Sequence, residues 1–511
     1  MTKTRGTERW LAFVGYAAVL IYVLSPRAGD YSGALVSAVT FPGALALFKH
    51  ARPLRHPVLC PLNWCYLVFF VQLVVVPLLV CFNGPYEFAL PMLPGPASIN
   101  AALVLASGSF FAFAFAVHLY RGRRTAQDVE AKARRPWPAG HGVALVFAVV
   151  GIVGILLSFG DLHGLLAYYA KTGNETQAHT LVESGSLETL LGLILRPFLG
   201  FSVIVVWCRW VDRRRSRSRL LGITITAAAG ALVLVSYANF SYNRGSFVAP
   251  LIALAAVYAA RVRRVRIGWL LAAAAIAFVL LAGYRAYRND DLTLAQVVTQ
   301  QQGVQAISHA TDLNAELQVY GGGPQFTAFL LDQTHFASTL QYGRTLIGSA
   351  MYPVPSLGRP FRHSSGVEYY NRLVYGHSRF LDQVIPFQGE LLINFHIPGV
   401  LLGYLLLGWL IAWMQRRFEA APSAVQAFAW QYAATWFAFL VAGSVAVVSQ
   451  ILVYFFWPIY VLAFAAALQR GSSAIAARWA RTPARRPSVR AARLSGTEPR
   501  RALRPLSSRR V

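Results

Sequence analysis

The chain has 511 residues, of which 56% are hydrophobic and 13% charged, and its formal net charge is +27. A soluble domain could not bury so much apolar surface, and apolar runs near twenty residues recur, as membrane-spanning helices require. The basic residues are divided among short connections and one tail, so they form no single nucleic-acid-binding face, and we expect no nucleic acid partner.

Hydropathy predicts an all-α fold, a polytopic integral membrane helical bundle of about twelve transmembrane helices. The predicted spans are 10–24, 32–48, 59–82, 98–119, 141–159, 188–208, 220–239, 246–260, 267–284, 389–414, 424–443 and 446–468.

Positive charge is distributed unevenly across this map. If the N-terminus lies inside, 36 of the 47 Lys and Arg residues fall on the inner side. Because basic loops stay in the cytoplasm, the pattern predicts a multi-pass protein of a bacterial plasma membrane with cytoplasmic N- and C-termini. Membrane lipids are therefore expected partners.

Four regions follow from the same map. Residues 1–284 form a membrane domain with spans one to nine, and 285–388 form a large extracytoplasmic loop. Residues 389–468 hold spans ten to twelve, and 469–511 form a basic, disordered cytoplasmic tail that binds the inner leaflet or a cytoplasmic partner.

The large loop is predicted to be an outer-face helical subdomain. We expect helices over 292–320 and 325–342, separated by glycines, and then an irregular aromatic and basic run over 351–387. Since an ordered loop of this length is usually functional, we expect the chemistry here.

Arg196 lies within the sixth predicted span and precedes Pro197, which should break the helix. A cation at that depth needs a partner or a wet cavity. Two interpretations stay open: internal pairing that holds helices together, and a substrate-binding cation in a cavity that opens outward.

A second group of arginines lies at the outer membrane boundary. Arg244 follows Asn243 in a short turn, and Arg285 and Arg288 share a helix face at the end of the ninth span. Guanidinium groups bind phosphate oxygens in pairs, so a cluster would suit a diphosphate. Snorkelling, or pairing of Arg285 and Arg288 with the neighbouring aspartates, is the ordinary alternative.

The loop run also carries residues that suit sugars, because aromatic rings cover apolar sugar faces while charged groups bind hydroxyls. The candidates are Arg359, Arg362, Tyr369, Tyr370, Arg372 and Arg379. A general base could be His377, Asp382, Glu368 or Glu390, although ordinary surface pairing is the favoured interpretation of any single one of them. Since no phosphate loop, metal-spaced cluster or Ser-His-Asp pattern is present, we expect no metal and no cofactor.

Three segments carry a resemblance to a known family. They are the turn Tyr242–Phe247, the Tyr-Arg end of the ninth span, and the run from Gly389 to Gly408, GELLINFHIPGVLLGYLLLG. The Pro-Val-Pro run before Gly358 adds to them. These segments resemble the bacterial oligosaccharide repeat-unit polymerases, the Wzy-type O-antigen polymerases, over roughly residues 190 to 470.

The resemblance implies a metal-independent glycosyltransferase that extends a polyprenyl-diphosphate-linked oligosaccharide on the extracytoplasmic face. A hydroxyl of one lipid-linked unit would attack the anomeric carbon of another, and polyprenyl diphosphate would leave. Arg244, Arg285 and Arg288 would stabilise the leaving diphosphate, with Arg196 less secure, and Glu390 or His377 would take the proton. Other proteins of polysaccharide assembly are further expected partners.

Three other functions remain open from sequence, and one of them is that of a structural or partner-binding membrane protein. A ligase that transfers a lipid-linked glycan to another acceptor would bind the same donor. A transporter or flippase shares the twelve-span layout, although no repeat symmetry is visible.

Overall fold

The computed structural model describes residues 4–24, 26, 28–52, 59–85, 93–122, 141–159, 187–213, 219–238, 244–262, 317–318, 323–333, 340–354, 358–377, 385–465 and 467. The chain divides into two compact units, Met1–Ile459 and Tyr460–Val511. The site described below lies wholly in the first unit. The predicted ninth span, the residues before 317 in the loop, and the basic tail beyond 467 lie outside the described residues.

All regular structure in these residues is helical. The elements are α1 Thr4–Leu24, α2 Ser32–Leu47, α3 Pro61–Asn83, α4 Pro96–Gly122, α5 His141–Phe159, α6 Leu187–Leu195, α7 Pro197–Arg213, α8 Arg219–Ala238, α9 Arg244–Arg261, α10 Gly323–Gln333, α11 Arg344–Met351, α12 Arg359–Arg362, α13 Gly366–Tyr375, α14 Phe387–Glu419, α15 Ala424–Ala438, α16 Val445–Tyr454 and α17 Trp457–Ala465.

Several of these helices are long and apolar enough to cross a membrane. Among the described residues, five meet that test, or six if α16 and α17 count as one broken span. Shorter apolar helices occur within α1, α2, α8 and α9. The chain is therefore a multi-pass helical membrane protein, while the number of twelve spans remains a prediction.

Hydrogen bonds between helix ends give the directions of the helices. Gly33 N–H at the start of α2 donates to Asn100 Oδ1 at the start of α4 (2.9 Å). At the other ends of these helices, His50 N–H lies 3.4 Å from His118 Nδ1. The helices α2 and α4 therefore run in the same direction.

The same reasoning extends to the helices of the C-terminal half. Leu62 N–H at the start of α3 donates to Gln415 Oε1 near the end of α14 (3.0 Å). Asp212 near the end of α7 accepts from Ala424 N–H at the start of α15 (3.0 Å) and pairs with Arg261 at the end of α9 (3.4 Å). The helices α2, α4, α7, α9 and α14, which correspond to the even-numbered predicted spans, therefore end on one side of the bundle. The helices α3 and α15, the third and eleventh predicted spans, begin on that side. This agrees with the alternation of the predicted spans.

A helix of the predicted loop contacts the opposite side. Asp332, in the last turn of α10, accepts hydrogen bonds from Gly95 N–H (3.0 Å) and Ser98 Oγ–H at the start of α4. The first residue of α10, Gly323, lies against the Gln72 side chain, which donates to Val441 O (2.9 Å). Thus α10 extends from the start of α4 to the middle of α3.

Aromatic side chains form the centre of the bundle. Phe69 of α3 packs against Phe110 and Phe113 of α4, with ring centroids 4.8 and 4.9 Å apart. Phe41 of α2 stacks on Phe110 at 5.0 Å, and Tyr404 of α14 packs against Phe69 at 6.1 Å. Each such pair adds about 0.5–1.5 kcal/mol to the free energy of burial, so four helices are fixed around one cluster.

The structure changes the prediction for the loop in two places. The expected helix over 325–342 is shorter: α10 ends at Gln333, and Tyr342 has a positive φ of 46°. The run over 351–387 is not simply irregular, because it contains α12 and α13. Here Ser365 caps α13 by accepting from Glu368 N–H (3.3 Å), a local bond that starts the helix.

Candidate functional site

The segment 387–419 is a helical hairpin made of two helical arms that meet at His396. His396 has φ 59° and ψ −165°, which no helix contains. Phe387 and Tyr404 would lie about 25 Å apart in a straight helix, yet their ring centroids are 5.6 Å apart. The chain therefore reverses direction at His396, and the arm 387–395 runs antiparallel to the arm 397–419.

Glycine makes the close approach of the two arms possible. A Cβ on Gly403 would overlap the Leu391 side chain, and a Cβ on Gly399 would overlap Phe395. The prediction of the tenth span as a single helix over 389–414 is therefore wrong for the residues up to His396. The arm 397–419 is about 34 Å long and can cross the membrane alone.

An apolar groove of about 640 Å³ lies along the hairpin. Its walls are almost entirely hydrocarbon, contributed by both arms and by residues of α11, α15 and the turn after α15. The lining residues are Leu346, Phe387, Leu391, Phe395, Pro398, Gly399, Leu402, Gly403, Leu406, Leu407, Leu410, Phe437 and Leu440. A groove of this size and polarity suits a hydrocarbon chain.

The other face of the short arm is polar and fully buried. Glu390 has no exposed surface. One carboxylate oxygen accepts from Ser349 Oγ–H of α11, and the other accepts from Val445 N–H at the start of α16 (3.2 Å). Ser349 Oγ in turn accepts from Gly366 N–H at the start of α13 (2.9 Å). This single carboxylate therefore joins the hairpin to three other helices.

Asn394, one turn beyond Glu390, makes a second connection to α11. Its Oδ1 accepts from Gly343 N–H (2.8 Å), and its Nδ2–H donates to Thr345 Oγ1 and to the Glu390 carbonyl. The neighbouring Ile393 carbonyl accepts from Gln341 N–H (2.9 Å). The helix α11 is thus bonded along the whole short arm.

This placement differs from the sequence prediction for Glu390. We expected a carboxylate at the outer mouth of a span, available as a general base. The structure instead buries both of its oxygens against protein donors, an arrangement that suits a structural connection. Proton transfer to substrate would require those bonds to break.

The helix α13 carries several of the predicted sugar-binding residues. Tyr370 is fully buried against Phe329 and Phe326, with ring centroids 6.0 and 6.5 Å away, and burial raises the pKa of its hydroxyl. Tyr369 is half-buried, and Arg372 is exposed. Tyr370 is therefore a core residue, while Tyr369 and Arg372 remain on the accessible side as sugar-binding candidates.

Charged groups meet on the exposed side of α13. One carboxylate oxygen of Glu368 lies 3.2 Å from Arg372 Nη2 and 3.1 Å from His363 Nδ1. The predicted base His377 follows the helix, is exposed, and stacks on the Tyr375 ring at 6.3 Å.

Arg196 lies between α6 and α7, where Pro197 begins the second helix, as the sequence predicted. Its side chain is buried, its Nε–H donates to Gly192 O (3.4 Å), and its guanidinium carbon lies 5.3 Å from the centre of the Phe159 ring. These contacts favour the internal alternative left open by the sequence.

Asn243, Arg285, Arg288, Arg379 and Asp382 lie outside the described residues. Arg244 is the first residue of α9, and Arg359 and Arg362 begin and end α12, but the side chains of these three are not described. Their roles remain predictions.

Sequence reasoning missed Ser349 and Asn394, which bind the hairpin to α11. A signal was available, because Glu390 and Asn394 are polar residues at spacing i, i+4 in an otherwise apolar run. That spacing places both on one helix face, which must contact protein.

In the part of the chain that the structure describes, no group of three or more His, Cys, Asp or Glu residues could hold a metal ion. No protein-family model matches the chain, and neither does any curated protein or any solved structure.

Proposed function

We propose that this chain is a membrane glycosyltransferase that joins polyprenyl-diphosphate-linked oligosaccharide repeat units into a surface polysaccharide. The observation that carries the proposal is the hairpin. The hairpin is formed by the residues that carry the family resemblance, Gly389 to Gly408. Its apolar groove lies beside helices of the predicted sugar-binding loop.

The groove supports a lipid-linked substrate. A polyprenyl chain is a long branched hydrocarbon, and the groove offers it leucine and phenylalanine side chains. Burial of hydrocarbon there would contribute about 25 cal/mol per Å². The affinity would be shared by every lipid-linked unit, whatever its sugars.

The neighbouring loop helices support a glycan at the end of that lipid. Leu346 of α11 lines the groove, while Ser349 of the same helix bonds to the start of α13. Through α11, a lipid in the groove would place its headgroup near Tyr369 and Arg372. An aromatic ring and a guanidinium are suitable sugar contacts.

The orientation belongs to the same proposal. From the distribution of positive charge, we expect the side with Arg261 and Arg416 to face the cytoplasm of a bacterial cell. In that orientation α10, whose Asp332 contacts the start of α4, would lie on the extracytoplasmic side, where repeat units would be joined. Other polysaccharide assembly proteins would act beside it.

A test uses cells that lack the gene and are complemented with wild type or with groove variants at equal protein levels. Leu406→Trp fills the groove, while Leu232→Trp, a comparably exposed leucine in α8, serves as the control. We expect the deletion and Leu406→Trp to shorten the glycan ladder and accumulate single lipid-linked units, with normal chains for Leu232→Trp.

The same cells test the predicted diphosphate contact. Arg244→Ala and Arg244→Lys should both shorten the ladder, because a lysine cannot bind two phosphate oxygens as guanidinium does. Normal chain lengths in the full deletion would overturn the proposed function. A product with a single transferred glycan would indicate the ligase instead.

A further inference from the structure

A histidine and a glutamate are paired on the exposed side of the loop helices. His363 follows α12, and its Nδ1 lies 3.1 Å from a carboxylate oxygen of Glu368 in the first turn of α13. The imidazole ring is 84% exposed, whereas the glutamate side chain is only 7% exposed. A buried carboxylate thus holds an accessible imidazole.

Besides His363, two residues hold the glutamate. Its backbone N–H donates to the capping hydroxyl of Ser365 (3.3 Å), and its carboxylate accepts from Arg372, one turn later in α13 (3.2 Å). The carboxylate therefore cannot rotate away from His363 without losing the arginine. Its position is set before any substrate arrives.

This geometry determines how the imidazole can react. A carboxylate is an acceptor, so the proton of neutral His363 lies on Nδ1 and the lone pair lies on Nε2. The exposed Nε2 can then accept a proton, and the charge that results is stabilised by the adjacent carboxylate. A base oriented by a third group is the usual arrangement in general-base catalysis.

The turn that carries His363 is connected to a groove-lining helix by a hydrogen bond. Gly366 N–H, at the start of α13, donates to Ser349 Oγ of α11. Leu346, one turn earlier in α11, lines the groove, and these two α11 residues are about 4.5 Å apart along the helix axis. The turn 363–366 is thus bonded to the same helix that forms a groove wall.

We infer that His363 is the proton acceptor for the attacking sugar hydroxyl, with Glu368 and Arg372 as positioning residues. The inference rests on the proposed function and names a base for it. The hydroxyl oxygen bonds to the anomeric carbon, and its proton moves to His363 Nε2. The bond from that carbon to the diphosphate oxygen breaks, and the electron pair leaves with polyprenyl diphosphate. The exposed imidazolium then loses its proton to water.

This assignment replaces Glu390 in the role of base. Both carboxylate oxygens of Glu390 already accept hydrogen bonds, and the side chain has no exposed surface. His363 has the accessible lone pair that Glu390 lacks.

The test uses membranes from the deletion strain that carry wild type or one variant. Their substrate is the lipid-linked glycan extracted from that strain, and chain extension is followed over time.

His363→Ala and His363→Gln should slow extension at least about 100-fold. Added imidazole should restore much of the rate to His363→Ala, because a free base can occupy the vacated space. For Glu368→Gln, the fold-decrease in the turnover rate should exceed the fold-change in the KM for the extracted lipid-linked glycan.

The control is His50→Ala, an exposed histidine at the opposite ends of α2 and α4, which should neither lose activity nor respond to imidazole. A merely structural His363 would give variants that imidazole does not rescue, and this result would overturn the inference. Full activity of both His363→Ala and His363→Gln, in an assay in which wild type is active, would also overturn the inference. No extension by wild-type membranes would instead remove the proposed function, and the inference with it.

Discussion

Two helices of the bundle are interrupted, and the chain responds differently at each place. At Arg196, the helix α6 ends and α7 begins at Pro197, yet residues 190–213 still form one span. At His396, two residues before Pro398, the chain reverses and makes a hairpin. The presence of proline therefore does not decide whether a membrane helix bends or turns back.

The backbone at the break explains the difference. Arg196 N–H still donates to Gly192 O (3.0 Å), so the helical ladder continues up to the proline. His396 adopts φ 59° and ψ −165°, a region that nearly only glycine occupies and that points the next residue backwards. Proline removes one hydrogen bond, whereas the positive φ changes the chain direction.

Both breaks lie near a buried ionisable side chain. Arg196 is held by a carbonyl and an aromatic ring, and Glu390 by a hydroxyl and a backbone N–H. The arginine joins neighbouring span helices, while the glutamate joins the hairpin to the loop helices. The following substitutions test this contrast.

The largest effect is expected for Glu390→Ala. It leaves Val445 N–H and Ser349 Oγ–H without their acceptor and opens a cavity, which should lower the free energy of unfolding by about 3–5 kcal/mol. Glu390→Gln keeps an oxygen acceptor and the shape, so it should change stability by less than about 1 kcal/mol. Thermal melts of the purified proteins in detergent measure both.

Chain extension by Glu390→Gln separates a structural carboxylate from a catalytic one. We expect extension near that of wild type. A stable Glu390→Gln protein without activity would show that the carboxylate takes part in the chemistry.

A smaller effect is expected where the two arms touch. Gly403→Ala places a Cβ into Leu391 and should destabilise the protein by about 2 kcal/mol. Gly43→Ala is the control, because nothing lies within 4 Å of its added Cβ and alanine favours the helix by about 1 kcal/mol. Equal melting temperatures for the two variants would contradict the hairpin.

The Arg196 break should show a pairwise coupling. Phe159→Leu and Arg196→Met each remove one side of the contact between the ring and the guanidinium. A double-mutant cycle on thermal stability should give a coupling of about 1–2 kcal/mol. A value near zero would mean that Arg196 is held by other groups and could serve a substrate.

The smallest change is a gain in stability. His396→Gly removes the steric strain of the positive φ, and the larger unfolded-state entropy of glycine offsets part of it, so we expect about 1 kcal/mol of stabilisation. Phe395→Gly, at the adjacent helical position, should instead destabilise by at least about 2 kcal/mol, because it also removes a ring that packs against Gly399. Destabilisation by His396→Gly would show that the contacts of the His396 side chain outweigh its backbone strain.

Hydropathy predicted the apolar helices of the described residues well, because they depend on runs of apolar residues that any window detects. It failed between 387 and 398, since Leu391, Leu392 and Ile393 continue the apolar run through the reversal. Length gave a weaker signal: a helix over the predicted span 389–414 would extend about 39 Å, beyond the hydrocarbon thickness of about 30 Å.

In the loop, a local signal was overlooked. Ser365 and Glu368 have the serine and glutamate spacing of a capping box, which marks the start of α13. The contact between His363 and Glu368 could not be predicted from spacing alone, because it joins residues on either side of a helix start. It depends on how the turn before α13 folds over α11.

The most direct test of the hairpin is a cysteine pair at Phe387 and Tyr404, with the four native cysteines replaced. These positions are adjacent in the hairpin and about 25 Å apart in a straight helix. Ile99 and Ala116 in the unbroken α4 have the same separation in sequence and form the control pair. Treatment of membranes with a short bifunctional thiol crosslinker, followed by peptide mass spectrometry, should detect an intramolecular cross-link in the first pair alone. Its absence under conditions that modify both thiols would contradict the hairpin and the site built on it.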